Sequence, residues 1–225
     1  MSGPVTCAWS RRTPERHELR IVPDGCVDLM WTGRELVVAG PDTGPVLFDT
    51  VPGLLVGVRF GPGVAPSILG LPASAIRDQR PLLGDLLVVP NRLLDELGNA
   101  GNAENRAEVL GRAVHGWFRP ELRDGAVPVI VAGLRGNMPV RELADRLGVG
   151  ERALHRRCVA AFGYGPKIVQ RVLRFRRALA LARVGYSFAD TAVETGYADQ
   201  AQLAREVRAL AGVPLGVLTG RTGAA

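Results

Sequence analysis

Apolar and polar residues in the first sixty positions interleave in short runs cut by glycine and proline. Leu19-Arg20-Ile21-Val22 leads into the turn Pro23-Asp24-Gly25, and Cys26 to Trp31 follows with apolar residues interleaved. Thr32-Gly33-Arg34 has hairpin-turn chemistry ahead of Glu35 to Ala39. Val46 to Val51 and Leu54 to Phe60 are bounded by Gly44-Pro45, Pro52-Gly53 and Gly61-Pro62-Gly63. Such closely spaced strands predict a small barrel or sandwich.

Beyond Gly63 the period changes to that of a helix. Short helices are expected over Ala65 to Leu69, Ala73 to Asp78 and Asn91 to Leu97. Gly98 to Asn102 is small, polar and free of large apolar residues, which suits a linker. Glu104 to Phe118 then sets Val109, Leu110, Ala113 and Phe118 at helical spacing. The expected division is a β-rich domain with trailing helices over 1–97, a linker and connecting helix over 98–125, and an all-α domain over 126–225. Together these make an α+β chain.

The last hundred residues contain one pattern twice. In the first copy Pro139 opens a helix whose apolar face is Val140, Leu143, Ala144 and Leu147. Gly148 ends it, and a second helix begins at once, with Leu154 inward and Arg152, His155 and Arg156 outward. Two short helices joined by a Gly-containing turn make a helix-turn-helix. Forty-eight residues later Ala192 and Gly196 repeat the spacing of Ala144 and Gly148. A helix capped by Asp199 follows, with Leu203, Val207 and Leu210 inward. Between the copies Pro166 opens a long helix to about Arg183, with Ile168, Val172, Phe175 and Leu179 inward. Its other side holds Lys167, Arg171, Arg174 and Arg177.

Charge sharpens this picture. Residues 1–125 carry 13 Arg and 15 acids, a net of −2, whereas residues 126–225 carry 14 Arg, one Lys and 7 acids, a net of +8. A surplus confined to one stretch is the footprint of a polyanionic partner. The 47% hydrophobic and 22% charged content of the 225 residues excludes disorder and collagen-like classes. Apolar runs are too short to span a bilayer, and the start lacks the layout of a secretory signal. Cys7, Cys26 and Cys158 form neither a disulfide framework nor a zinc pair. A reduced, cytoplasmic protein without a membrane partner is expected.

The duplicated unit, with Phe162-Gly163-Tyr164-Gly165-Pro166 before the long helix, Gly196-Tyr197-Ala198-Asp199-Gln200 at the second turn and Ala211-Gly212-Val213-Pro214 at the end, resembles the DNA-binding domain of AraC/XylS transcriptional regulators. The likeness covers about Val127 to Val217. It implies a sequence-specific regulator that places two recognition helices in successive major-groove segments of double-stranded DNA. The family's base-reading positions fall on Arg152, His155 and Arg156, and on Gln200, Ala201, Ala204 and Arg205. Arg157, Arg171 and Arg174 are expected at phosphates, which position without specifying. Arg157-Cys158 departs from the family's apolar-then-aromatic pattern there. An activator of this family would also contact RNA polymerase.

Val22 to Met30, Gly57 to Gly63 and Leu71-Pro72-Ala73 resemble an amino-terminal domain of poorly defined role found fused to this helix-turn-helix type. By analogy it is a cupin-like sensor or dimerisation module, giving a homodimer and a small-molecule effector as expected partners. Asp28, Trp31, Arg59 and Phe60 are the candidate effector residues, because an Arg among apolar strand residues suits an anionic ligand. Asp24, Cys26 and Asp28, spaced two apart, would share one face of a strand, and His17 nearby would complete a metal site. Turn chemistry at Asp24-Gly25, a core Cys26 and an Asp28–Arg59 pair account for the same residues more simply, so no metal or cofactor is expected. The rival class is a cupin-like or cysteine-dependent enzyme, or a metal or redox sensor, fused to the DNA-binding domain. His17, His115 and His155 are far apart in sequence, and nothing beside Cys7 or Cys26 clearly activates a thiol, so no catalysis is expected.

Overall fold

The structure, a computed structural model, describes residues 3–220. Six strands come first: β1 (Val5–Thr13), β2 (Glu18–Ile21), β3 (Asp28–Trp31), β4 (Leu36–Ala39), β5 (Val46–Asp49) and β6 (Gly53–Phe60). They form an antiparallel sheet in the order β1-β6-β3-β4 and a two-stranded ribbon of β2 and β5. Pairing register sets Asp28 opposite Arg59 and Trp9 opposite Gly57. Alternation then divides the sheet: Leu29, Trp31, Val56, Val58 and Phe60 are buried on one face, and Asp28, Met30, Leu55 and Arg59 occupy the other.

The buried face is roofed by helices α1 (Ala65–Leu69), α2 (Asn91–Asn99) and α3 (Ala103–Trp117). The helix expected to connect the domains therefore packs into the core of the first. Leu97, Leu110 and Val114 are fully buried in its core, because α3 must cover the apolar side of β6 and β1. Ala73–Ile76 forms a 3-10 turn where a short helix was expected.

The all-α part comprises α4 (Val127–Arg135), α5 (Val140–Arg146), α6 (Glu151–Phe162), α7 (Pro166–Arg183), α8 (Phe188–Thr195), α9 (Gln200–Ala211) and α10 (Leu215–Leu218). It has two cores, and α7 serves both. Val169 and Val172 join Leu143, Leu154 and Phe162 in the first; Phe175, Leu179 and Ala182 join Ala192, Leu203 and Val207 in the second. Ile168 is exposed, and Val169 takes the inward position expected of it. No helix is long and apolar enough to cross a membrane among the described residues.

Candidate nucleic-acid interface and ligand cavity

In the first unit Gly148 has φ +64°, a left-handed conformation that lets α6 start at Glu151, three residues on. Leu154 is fully buried against α5 and α7, so Arg152, His155 and Arg156 face outward, lining an open concavity. The His155 ring lies against Gly165: a Cβ there would sit 2.6 Å from Nε2. Cys158 is buried in the core, and Arg157 turns to the domain connection, pairing with Asp124 at 3.2 Å.

In the second unit Asp199 accepts from the Gln202 amide at 2.6 Å, while the Gln202 side chain accepts from the Ala198 amide at 2.7 Å. This reciprocal cap fixes the start of α9. Leu203, Val207 and Leu210 are buried, leaving Gln200, Ala201, Ala204 and Arg205 exposed.

The arginines expected at phosphates are engaged within the protein. Besides the Arg157–Asp124 pair, Arg171 Nε meets Glu206 Oε2 at 2.5 Å, and Arg174 stacks over the Tyr197 ring at 4.3 Å. Helical spacing sets Arg171 and Arg174 off the apolar face of α7 but does not give their partners, which come from other elements. Lys167 and Arg177 on the same helix are exposed and have no ion-pair partner among the described residues.

A cavity of about 390 Å³ lies between the open face of the sheet and the β2–β5 ribbon, walled by Trp9, Leu19, Ile21, Met30, Phe48 and Leu55. Trp9 fits because Gly57 lacks a side chain; a Cβ would come within 2.4 Å of its ring. Of the four candidate effector residues, Asp28 and Arg59 line the cavity. Trp31 and Phe60 do not: they point to the helical side, 3% and 1% exposed. The reason is strand parity, since Trp31 is three positions from Asp28 and Phe60 adjoins Arg59.

Asp24 and Cys26 precede β3 in a loop instead of sharing its face, yet they too reach the cavity. Arg59 Nη2 lies 2.7 Å from Asp24 Oδ2 and 2.9 Å from Asp28 Oδ2, and its Nε donates to Asp28 Oδ1 at 2.9 Å. These carboxylates raise the Arg59 pKa, the hydrogen bond to Asp28 most. Burial, reinforced by Asp24, pushes the Cys26 thiol up to about 12, and burial does the same to Cys158. Neither is a thiolate at neutral pH. His17 bonds Thr50 instead, and no group of three His, Cys, Asp or Glu is placed to hold a metal among the described residues.

The two domains meet through side chains that sequence alone did not single out. Arg176 of α7 donates to the Asp24 carbonyl at 3.1 Å, and Arg20 of β2 donates to the Ala211 carbonyl at the end of α9 at 3.2 Å. Arg77 donates to the Gly163 carbonyl at 3.2 Å. The amino-terminal domain thus touches both helix-turn-helix units.

Residues 143–221 match a family described as a helix-turn-helix domain (HTH_18), and residues 1–81 match a domain of unknown function (DUF6597). No curated protein matches the chain. ToxT from Vibrio cholerae O395 is similar in fold, with a TM-score of 0.51 at 10% identity over 96% of this chain and 97% of that one. Unsaturated fatty acid bound wild-type ToxT from Vibrio cholerae strain SCE256 has a TM-score of 0.51 at 12% identity, over 100% of this chain and 99% of that one.

Proposed function

We propose that this AraC/XylS-type regulator, a double helix-turn-helix domain fused to an amino-terminal domain of unknown function, reads DNA with α6 and α9 and is governed by a small molecule in the amino-terminal cavity. The observation that carries the DNA reading is the sharing of α7 by two cores, each presenting an exposed helix. Arg152, His155 and Arg156 would read one major-groove segment. Gln200, Ala201, Ala204 and Arg205 would read the next. Arg suits guanine O6 and N7, Gln suits adenine N6 and N7, and the two alanines offer at most contact with a thymine methyl. On α7, Lys167 and Arg177 are cations without an ion-pair partner among the described residues and are offered to phosphates, joined by Arg157, Arg171 and Arg174 only if these leave their present partners.

Control by a ligand is supported by β2. Leu19 and Ile21 face the cavity while Arg20, between them, holds α9; the next loop faces the cavity with Asp24 and Cys26 and is held by Arg176 of α7. A ligand that moves this strand and loop would act on α9 and on α7, the helix that both units share. A ToxT structure of similar fold is bound to an unsaturated fatty acid, which supports a small-molecule ligand for this chain. Self-association through the amino-terminal domain, and contact with RNA polymerase if the protein activates, complete the proposal.

The test is selection from fragmented genomic DNA, then anisotropy titration of the enriched site at two salt concentrations. A site spanning two consecutive major-groove segments is expected. Arg156→Ala and Arg205→Ala should each cost about 1–3 kcal/mol and relax opposite ends of it. Failure to enrich any sequence, or wild-type binding by both variants, overturns the assignment.

A further inference from the structure

The charges around the cavity specify its occupant more narrowly than its size does. Three carboxylates, Asp24, Asp28 and Asp42, and three guanidiniums, Arg11, Arg59 and Arg80, line it. Arg80 Nη2 is held by both oxygens of Asp42, at 2.9 and 2.7 Å, and that pair is neutral. Arg59 is shared by Asp24 and Asp28, so one cation serves two carboxylates and the group is left with one uncompensated negative charge. Arg11 lies on the edge strand β1, exposed. Arg176 approaches the same loop from the interdomain side and gives its hydrogen bonds to the Asp24 carbonyl and Cys26 Sγ, not to a carboxylate.

An anionic head group at the Asp24–Arg59–Asp28 end would meet two carboxylates and a guanidinium already engaged by both. It would have to displace one of them and leave it unpaired in a partly buried site. A cationic head that donates hydrogen bonds can use the remaining lone pairs of the Asp24 carboxylate, whose Oδ1 accepts from the Cys26 amide at 2.9 Å and whose Oδ2 meets Arg59, without displacing either partner. The walls favour the same charge, because the faces of Trp9 and Phe48 attract cations while their area takes an apolar body.

We infer that the cavity binds an apolar molecule bearing a primary amine or amidine, a lipophilic cation, with Asp24 as the carboxylate that meets it. This rests on the ligand-governed reading above and reverses the sign of ligand first expected from Arg59.

Three molecules with one tail and different heads test it: octylamine, octanol and octanoate, titrated by calorimetry into the full chain, with Trp9 emission as a second readout. Octylamine should bind about tenfold tighter than octanol, the gain of one charge-assisted hydrogen bond, and octanoate weakest. Asp24→Asn should narrow the amine's advantage to below about threefold. Leu55→Trp, which fills the cavity, should abolish binding of all three. Tightest binding by octanoate, equal binding of the three, no binding of any, or an amine preference that survives Asp24→Asn each overturns the inference. Operator affinity measured with and without octylamine separates the two claims: an amine that binds but leaves operator affinity unchanged preserves the ligand class and overturns control of DNA binding through the cavity.

Discussion

Arg20 lies on β2, and its guanidinium donates to the Ala211 carbonyl at the C-terminal end of α9, 191 residues further on, at 3.2 Å. That carbonyl is in the last turn of the helix, where the backbone lacks internal donors and a cation meets the negative end of the dipole. A reader helix is thereby tied to a strand that walls the cavity.

Replacing Arg20 by Ala should cost only about 0.5–1.5 kcal/mol of stability, the scale of one partly buried hydrogen bond. Its local effect should be larger. Amide exchange over residues 208–215 is expected to quicken, with α5 and α6 unaffected. Arg176→Ala should quicken exchange over residues 23–27 instead, since it frees the loop and leaves α9 held. Exchange unchanged in both variants would mean that the contacts are incidental to docking.

Glu206 of α9 restrains Arg171 of α7. Its carboxylate holds Arg171 Nε at 2.5 Å, with the two side chains 24% and 36% exposed. Glu206→Gln should therefore free Arg171 for a phosphate and remove a negative charge from α9. Tighter operator binding is expected, with the slope of log affinity against log salt steeper by about one unit. Weaker binding would mean that the pair orients α9 instead of holding Arg171 back.

The reach of sequence reasoning is clear from such pairs. Helical period and the two Ala-to-Gly spacings locate both helix-turn-helix units, because the outward face follows from the inward one: Leu154 and Leu203 are buried, so their outward neighbours follow. Period two on a strand carries the same information. Applied to Asp28 it would have set Trp31 on the opposite face. What local pattern does not encode is the distant partner. β1 was not foreseen because it is mostly exposed, has no clean alternation and gains its pairing from β6, some fifty residues away. The engagement of Arg157 with Asp124 and of Arg171 with Glu206 is invisible for the same reason.

Gly148 and Gly196 stand at equivalent turns, with φ of +64° and +76°, yet their surroundings differ. A Cβ at Gly148 meets nothing within 4 Å, whereas at Gly196 it would sit 2.8 Å from Asn137 Nδ2. Gly148→Ala should cost about 1–2 kcal/mol, the left-handed penalty alone. Gly196→Ala should cost more, and Asn137→Gly in the same chain, which removes the side chain and tolerates the φ of +58° at that position, should recover the excess. Urea midpoints of the three variants decide this; equal losses at the two glycines would show that Asn137 moves aside freely.

Burial of the thiols lowers the stability of the fold at alkaline pH, alongside the buried phenols of Tyr164 and Tyr197, whose pKa values burial also raises. Cys26 and Cys158 are pushed from an ordinary 9.0 to about 12 in the folded chain, mainly by burial. Below pH 9 both states keep the proton and the thiols are indifferent to pH. Above it the unfolded chain ionises first, so stability falls as pH rises toward 12, by up to about 1.4 kcal/mol per pH unit for each thiol. Iodoacetamide at pH 8 should modify exposed Cys7 quickly and the other two only on unfolding. Cys26→Ser should flatten the fall in urea midpoint between pH 9 and 11. Rapid alkylation of Cys26 in the folded chain would instead mark it as an accessible, activated thiol and revive a redox role for the loop that Arg176 holds.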